Sequence, residues 1–282
     1  MKVFLYTALA LTAFAFNSIL CRMALGKDEI DAASFTTVRL AAGAVTLALI
    51  SASVGKTQSV YRSGHWVSAF FLFAYAICFS FAYLGLTTGM GALILFGSVQ
   101  LTMVVAAFAK GERPTALELA GIVIAFSGLV YLVFPGLTAP PLISSALMAA
   151  AGAAWGLYTL RGRGSKDPLA ETTGNFARSV PMIVLAAIPF IGGLHSSTRG
   201  VVLAVLSGAL ASGVGYSVWY AALKYHTATR AAVLQLAVPV IAAGGGIVLL
   251  SETANTRLLI SAVLVLGGIM LAIFTKRPAT RT

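Results

Sequence analysis

The chain has 282 residues, 59% of them hydrophobic and only 10% charged, with a net charge of +11 and a mean hydropathy of +0.94. These proportions exclude an ordinary soluble domain and describe a membrane protein. The basic residues stand one to three at a time between apolar runs, a topology signal that gives no phosphate-binding stripe and so no nucleic-acid partner. Cys21 and Cys78 both fall in apolar runs and offer no disulfide framework.

A bilayer core of about 30 Å takes about 20 apolar residues per helix, and ten such segments can be read: 3–25, 33–54, 67–86, 89–109, 117–134, 142–160, 170–191, 200–222, 231–250 and 258–275. They are longer and less alternating than outer-membrane strands, so the predicted fold class is an all-α integral membrane protein. Lys2 and the first run could suggest a signal peptide, but the run is too long for an h-region and is kept as a mature helix.

In chain order, the first segment carries the amide Asn17, and the second carries Arg39 about two turns inside it. The third has Tyr75, Phe79 and Tyr83 every four positions on one face. Gln100 lies in the fourth, and Glu112 stands in the polar interruption before the fifth. Trp155 and Tyr158 lie three apart in the sixth, and Asn175 and Arg178 in the seventh. Tyr216, Trp219 and Tyr220 share a face of the eighth. The ninth opens near Gln235, carries Pro239 five residues before Gly244, Gly245 and Gly246, and is closed by Glu252.

The second half repeats the first. Ala92, Glu112 and Gly128 fall on Ala232, Glu252 and Gly268 at an offset of 140, Phe79 and Tyr83 on Tyr216 and Tyr220 at 137, and Phe16, Arg22 and Arg39 on Trp155, Arg161 and Arg178 at 139. Apolar sequences align by chance, so the rare Arg, Trp, Tyr and Glu residues carry the case. The expected organisation is a first five-helix unit over 1–134, a linker over 135–141, a second unit over 142–275 and a basic tail over 276–282. With a cytoplasmic N-terminus, 13 Lys and Arg lie inside against three outside, with Arg22 near the outer face. The bias puts both termini in the cytoplasm. Five is odd, so tandem units enter the bilayer in opposite senses; such inverted halves characteristically hold a site near the midplane and favour a transporter.

With Phe16 and Asn17, Phe35 to Arg39, Phe79 to Leu86, the Gly111, Glu112 and Gly128 set, Trp155 to Tyr158, Tyr216 to Lys224, and Pro239 to Glu252 in this order, the chain resembles the drug/metabolite transporter superfamily in its ten-helix EamA form. Within it the chain is similar to bacterial inner-membrane exporters of amino acids and related metabolites, above all aromatic amino acid exporters. The resemblance implies a basket of ten helices around a central cavity, export as the usual direction, an amino acid or similar metabolite as substrate and the lipid bilayer as surroundings. A monomer is the working expectation, with no cofactor and no metal.

A tyrosine hydroxyl at membrane depth needs a partner, which a wet cavity supplies more readily than lipid. Substrate contact is therefore expected at Phe79, Tyr83, Trp155, Tyr158, Tyr216 and Tyr220. A plain aromatic stripe packed on its neighbours is the competing reading. Asn17 and Gln235 join the set because the resemblance puts their helices at the cavity, with interhelical hydrogen bonding as the alternative. Pro239 with Gly244, Gly245 and Gly246 suggests a hinge. Arg39 and Arg178 could meet a substrate carboxylate. The resemblance places the second and seventh helices outside the lining, and a structural role is expected for both. Glu112 and Glu252 suit capping or gating at the two mouths. A membrane-embedded enzyme is the rival class, but the spans hold no His, no HExxH, no GxSxG and no Asp pair.

Overall fold

The computed structural model describes residues 2–56, 63–109, 115–134, 136, 139–162, 165–223, 225 and 234–274, and they are almost wholly helical. The helices are α1 (Lys2–Leu25), α2 (Ala32–Ser53), α3 (Trp66–Ala82), α4 (Thr88–Ala109), α5 (Ala116–Val133), α6 (Leu142–Gly162) and α7 (Pro168–Ala187), the last continued by a 3-10 turn, Ile188–Gly193. Next, α8 starts as Thr198–Leu206, widens into a π-helical stretch, Ser207–Val214, and resumes as Gly215–Leu223. Helices α9 (Ala237–Leu250) and α10 (Thr256–Phe274) complete the described chain. Seven of these helical stretches are long and apolar enough to cross a membrane, and α3, α9 and α10 are shorter apolar helices.

Polar residues start the helices where the sequence changes character. Asp31 caps α2 by accepting from the Ser34 N–H at 2.8 Å. Thr115 and Glu118 form a reciprocal capping box on α5, which gives Glu118 its task. Asp167 caps α7, with Pro168 at the position where a missing N–H is harmless. Ser197 does the same for α8 through the Gly200 N–H. The third expected segment is shortened, because Tyr83 caps α3 and the chain turns over residues 83–87 before α4. In the ninth, a turn at Leu236 separates the helical pair Leu234 and Gln235 from α9, and 231–233 lie outside the described residues.

Lipid offers no hydrophobic drive for helices to associate, so close approach at small residues has to hold them. The largest seam joins α5 and α10. A Cβ on Gly268 would lie 2.5 Å from the Ala125 nitrogen and 2.6 Å from the Gly121 oxygen, while Gly128 abuts Leu264 and Val265. The start of α10 meets the end of α5, where Arg257 donates to the carbonyls of Leu132 and Phe134, so the two helices run antiparallel. Helices α2 and α7 are antiparallel too, with Ser51 and Thr173 hydroxyls 3.0 Å apart and Lys56 paired with Asp167 at 2.9 Å. Helix α3 packs on α6 and α8 on α1, while α4 meets α6 and α9 meets α1. Large apolar side chains such as Phe4, Ile143, Val248 and Val263 point outward, as a bundle bathed in lipid requires.

The seam makes a paired prediction. Gly268→Ala should destabilise the purified protein by roughly 1–3 kcal/mol through backbone overlap. Gly267→Ala, whose Cβ meets nothing within 4 Å, should leave thermal unfolding in detergent unchanged.

Candidate functional site

At the centre of the bundle a cavity is lined by Phe14, Asn17 and Ser18 of α1, Tyr75 and Phe79 of α3, Leu95 and Phe96 of α4, Trp155 of α6, and Ala211 and Tyr216 of α8. Its walls thus come from both halves of the chain. Its enclosed space has room for a water or two and is too small for an amino acid.

Aromatic rings make most of the wall. Trp155 is the hub, with ring centroids 4.9 Å from Tyr75, 5.0 Å from Tyr216 and 5.4 Å from Tyr158. Phe14 meets Tyr216 and Trp219 edge to face, each at 5.7 Å. Phe79 links Tyr75 to Tyr83 along α3. Such rings offer stacking faces and an electron-rich surface for an ammonium group.

A polar chain crosses this wall. The Ser207 hydroxyl donates to Asn17 Oδ1 at 2.6 Å; Asn17 Nδ2 donates to the Tyr75 hydroxyl at 3.1 Å; and Arg39 Nη2 donates to the same oxygen at 3.0 Å. The π-helical winding makes one end of it: Ser207 opens the stretch and Ala211 faces the cavity from it. Gly208 lets the stretch press on α2, where a Cβ would fall 2.1 Å from the Arg39 carbonyl oxygen.

The expected site residues divide into groups. Asn17, Phe79, Trp155 and Tyr216 meet at the central cavity. Tyr158 and Tyr220 line a second pocket nearer one end of the bundle, with Ser68, Glu171, Thr172 and Asn175. Tyr83 is fully buried away from both pockets; its hydroxyl donates to the Thr88 carbonyl at 3.3 Å and Gly91 sits against its ring. Gln235 is buried at the turn before α9 and lines neither pocket.

Helix α9 runs unbroken through Gly244, Gly245 and Gly246, and Pro239 sits in its first turn, where a proline does not kink the chain. Two of these glycines mark close approach, Gly245 to Ile19 and Gly246 to Thr88 and the Glu252 carboxylate. Of the residues that pattern-reading passed over, Tyr75 was visible on its stripe. Phe14, two positions before the more exposed Phe16, and the π-helical turn carried no signal.

The arginine pair is unequal. Arg178 donates to the carbonyls of Ser63 and Gly174 at 2.7 and 2.9 Å and lies over the Trp66 ring, which suits a structural role. Together with the bond from the His65 N–H to Asn175, it pins the preceding loop at Gly64, whose φ of +88° suits glycine. Arg39 instead reaches the cavity wall.

Latches close the other end of the bundle. Both Glu252 oxygens accept from the Thr88 N–H, at 3.0 and 2.8 Å, and one lies 3.5 Å from Arg22 Nε. Arg22 also donates to the Tyr83 carbonyl at 3.0 Å, and Ser251 turns the chain with a left-handed φ of 55°. Glu112, which aligns with Glu252 at the 140-residue offset, lies outside the described residues. Alongside, the loop before α2 joins the loop before α8. His195 Nε2 meets Asp28 at 3.0 Å, the His195 N–H donates to Asp31 at 2.9 Å, and Glu29 holds Ser197 and Arg199.

Comparisons with known proteins agree on a lineage. Residues 142–274 match the EamA-like transporter family. An uncharacterized protein of Pseudomonas aeruginosa is 48% identical, covering 96% of this chain and 94% of its own. A probable amino-acid metabolite efflux pump of Salmonella typhimurium is 27% identical over 71% of this chain and 72% of its own. A probable terminal-alkyne amino-acid exporter of Streptantibioticus cattleyicolor is 26% identical, covering 94% and 91%. A crystal structure 18% identical in sequence shares the fold over 98% of both chains, with a TM-score of 0.68.

The loop latch carries a pH signature. For His195, the hydrogen bond to the Gly193 carbonyl, and after it the Asp28 and Asp31 carboxylates, outweigh desolvation and raise the pKa above 6.5. Its stabilisation is complete below that value and fades as pH rises through the raised one. For Asp31, partial desolvation pushes up, but hydrogen bonds from Ser34, His195 and Ala33 bring the pKa below 3.8. That contribution holds above 3.8 and fades only in stronger acid. The Tm should therefore fall as pH rises above 6.5 and through the raised value, and His195→Gln should flatten that slope in a differential scanning measurement.

Proposed function

The chain belongs to the EamA-like transporters of the drug/metabolite transporter superfamily, and from that premise we propose that it exports neutral amino acids, aromatic ones included, or closely related small metabolites. It is a multi-pass membrane transporter and not an enzyme. The central cavity is the substrate site, and transport proceeds by alternating access in the bacterial inner membrane. The observation that carries this reading is a mid-bundle cavity with aromatic walls and an amide, phenol and hydroxyl chain, drawn from α1, α3, α4, α6 and α8 together. Rings would hold the side chain and the ammonium group, and the polar chain would hold what remains. Two relatives whose names cite amino-acid efflux or export support the substrate class.

The ten segments cross the membrane as two inverted five-helix units, 1–134 and 142–275, joined by 135–141, with both ends and the basic tail 276–282 in the cytoplasm. Support comes from the antiparallel fit of α5 on α10, whose buried Gly121, Ala125 and Gly128 correspond at the 140-residue offset to Ser261, Val265 and Gly268. The reciprocal contacts of α3 with α6 and of α8 with α1 agree with it. Charge bias makes the Arg22 and Glu252 end the outer one. Glu252 then acts as an outer gate, and Tyr158 and Tyr220 line the inner approach. The glycines of α9 let that helix slide past Ile19 and Thr88 as the gate opens.

Reconstitution into sealed vesicles with labelled tryptophan, phenylalanine, threonine and methionine tests the proposal. Flux of at least one is expected, falling at least about tenfold in Trp155→Ala and Asn17→Ala proteins that still elute as folded species. No flux of any of the four would remove the amino-acid reading.

A further inference from the structure

A buried cation without a counterion stands directly behind the cavity wall. Arg39 is 1% exposed and heads the largest fully buried side chains. Its guanidinium stays charged at any physiological pH, yet among the described residues it has no carboxylate within ion-pairing distance. Two of its nitrogens, Nε and Nη1, have no hydrogen-bond partner there. What it does have is the Tyr75 hydroxyl at 3.0 Å and two ring faces, with its central carbon 5.2 Å from the Tyr75 centroid and 4.9 Å from that of Phe79. Both rings line the cavity.

Elementary hydrogen-bond accounting sharpens the point. The Tyr75 oxygen accepts from Arg39 and from Asn17, which uses its acceptor capacity and leaves its own proton to donate. A carboxylate that accepted a hydrogen bond from that O–H would lie one further hydrogen-bond length from the guanidinium. Exchanging the Arg39 to Tyr75 bond for a direct one would give the planar fork contact that arginine makes with carboxylates. The repeat mate, Arg178, is satisfied by two backbone carbonyls, so an intramembrane arginine in this fold has a self-sufficient solution that Arg39 does not use. Leaving a charge unpaired in a low-dielectric interior is costly, and a bound anion offsets that cost.

We propose that Arg39 and Tyr75 form the carboxylate-recognition end of the substrate site, with the aromatic cluster around Trp155 taking the side chain. The inference rests on the central cavity being the transport site and deepens that reading: the cargo must carry an anionic carboxylate, and the amine is secondary.

The test uses three probes that share a phenyl group: phenylalanine, 3-phenylpropionate, which lacks the amine, and phenethylamine, which lacks the carboxylate. Their binding to the detergent-purified full chain is read by thermal shift, and competition with labelled phenylalanine flux is read in vesicles. Both acids should bind at least about tenfold more tightly than the amine, the range a charge-assisted pair supplies. Arg39→Gln should bring the ratio to about one, Arg39→Lys should restore part of it, and Tyr75→Phe should weaken both acids with the amine unmoved. If no probe is carried across vesicles but the acids still stabilise the wild type and not Arg39→Gln, the amino-acid export reading fails and the carboxylate site stands. A folded Arg39→Gln protein that keeps the wild-type preference for acids overturns the proposal, as does a wild type that ranks the amine equal to the acids. Should Arg39→Gln not fold, the Lys and Phe variants decide by the same ratio.

Discussion

Inside hydrocarbon every backbone polar group must find its partner within the chain, and this one constraint orders the interior. Backbone groups are satisfied by the helices themselves, and the ends by Asp31, Thr115, Asp167 and Ser197. Hydroxyls buried on single helices turn back to their own carbonyls, as Thr36, Ser80 and Ser179 do. At the centre Ser207, Asn17, Tyr75 and Arg39 make a chain that ties α8, α1, α3 and α2 together. The same groups that stitch four helices are therefore the polar groups next to the cavity.

The two ends of the bundle solve this problem differently. Near Arg22 the closure is ionic and crosses between the halves, since the Glu252 carboxylate from the second half is shared by the Thr88 N–H and Arg22 of the first. Near Arg161 the pocket of Tyr158 and Tyr220 remains, and the ties seen among the described residues include the Lys56 to Asp167 ion pair, the Arg161 to Ser68 bond and the Ser63 to His65 anchor on α7. Tyr83 and Tyr220 align at the 137-residue offset, yet one is sealed and the other lines a pocket.

The helical, membrane-spanning character is legible because bilayer thickness makes apolar length informative. Depth was harder to read. A stripe such as Tyr75, Phe79 and Tyr83 shares a face, but eight residues of helix rise about 12 Å, so its members cannot all border one small cavity. Tyr83 lies at the capped end of α3, and on the same grounds Tyr158 and Tyr220 fall to the second pocket. Arg39 shows the complementary limit: helix membership locates a Cα, whereas a long side chain carries its charge several ångströms farther. The polar stretch around Glu112 lies outside the described residues.

The wide winding of Ser207–Val214 has a consequence for how α8 can be used. A wheel drawn at about 100° per residue accumulates a phase error across those eight residues, so the azimuth of Tyr216 and Trp219 is uncoupled from that of the first turns seated on α2 and α1. The bearing surface and the ring-presenting surface of one rod can be set independently, much as an offset crank separates the line of support from the line of action.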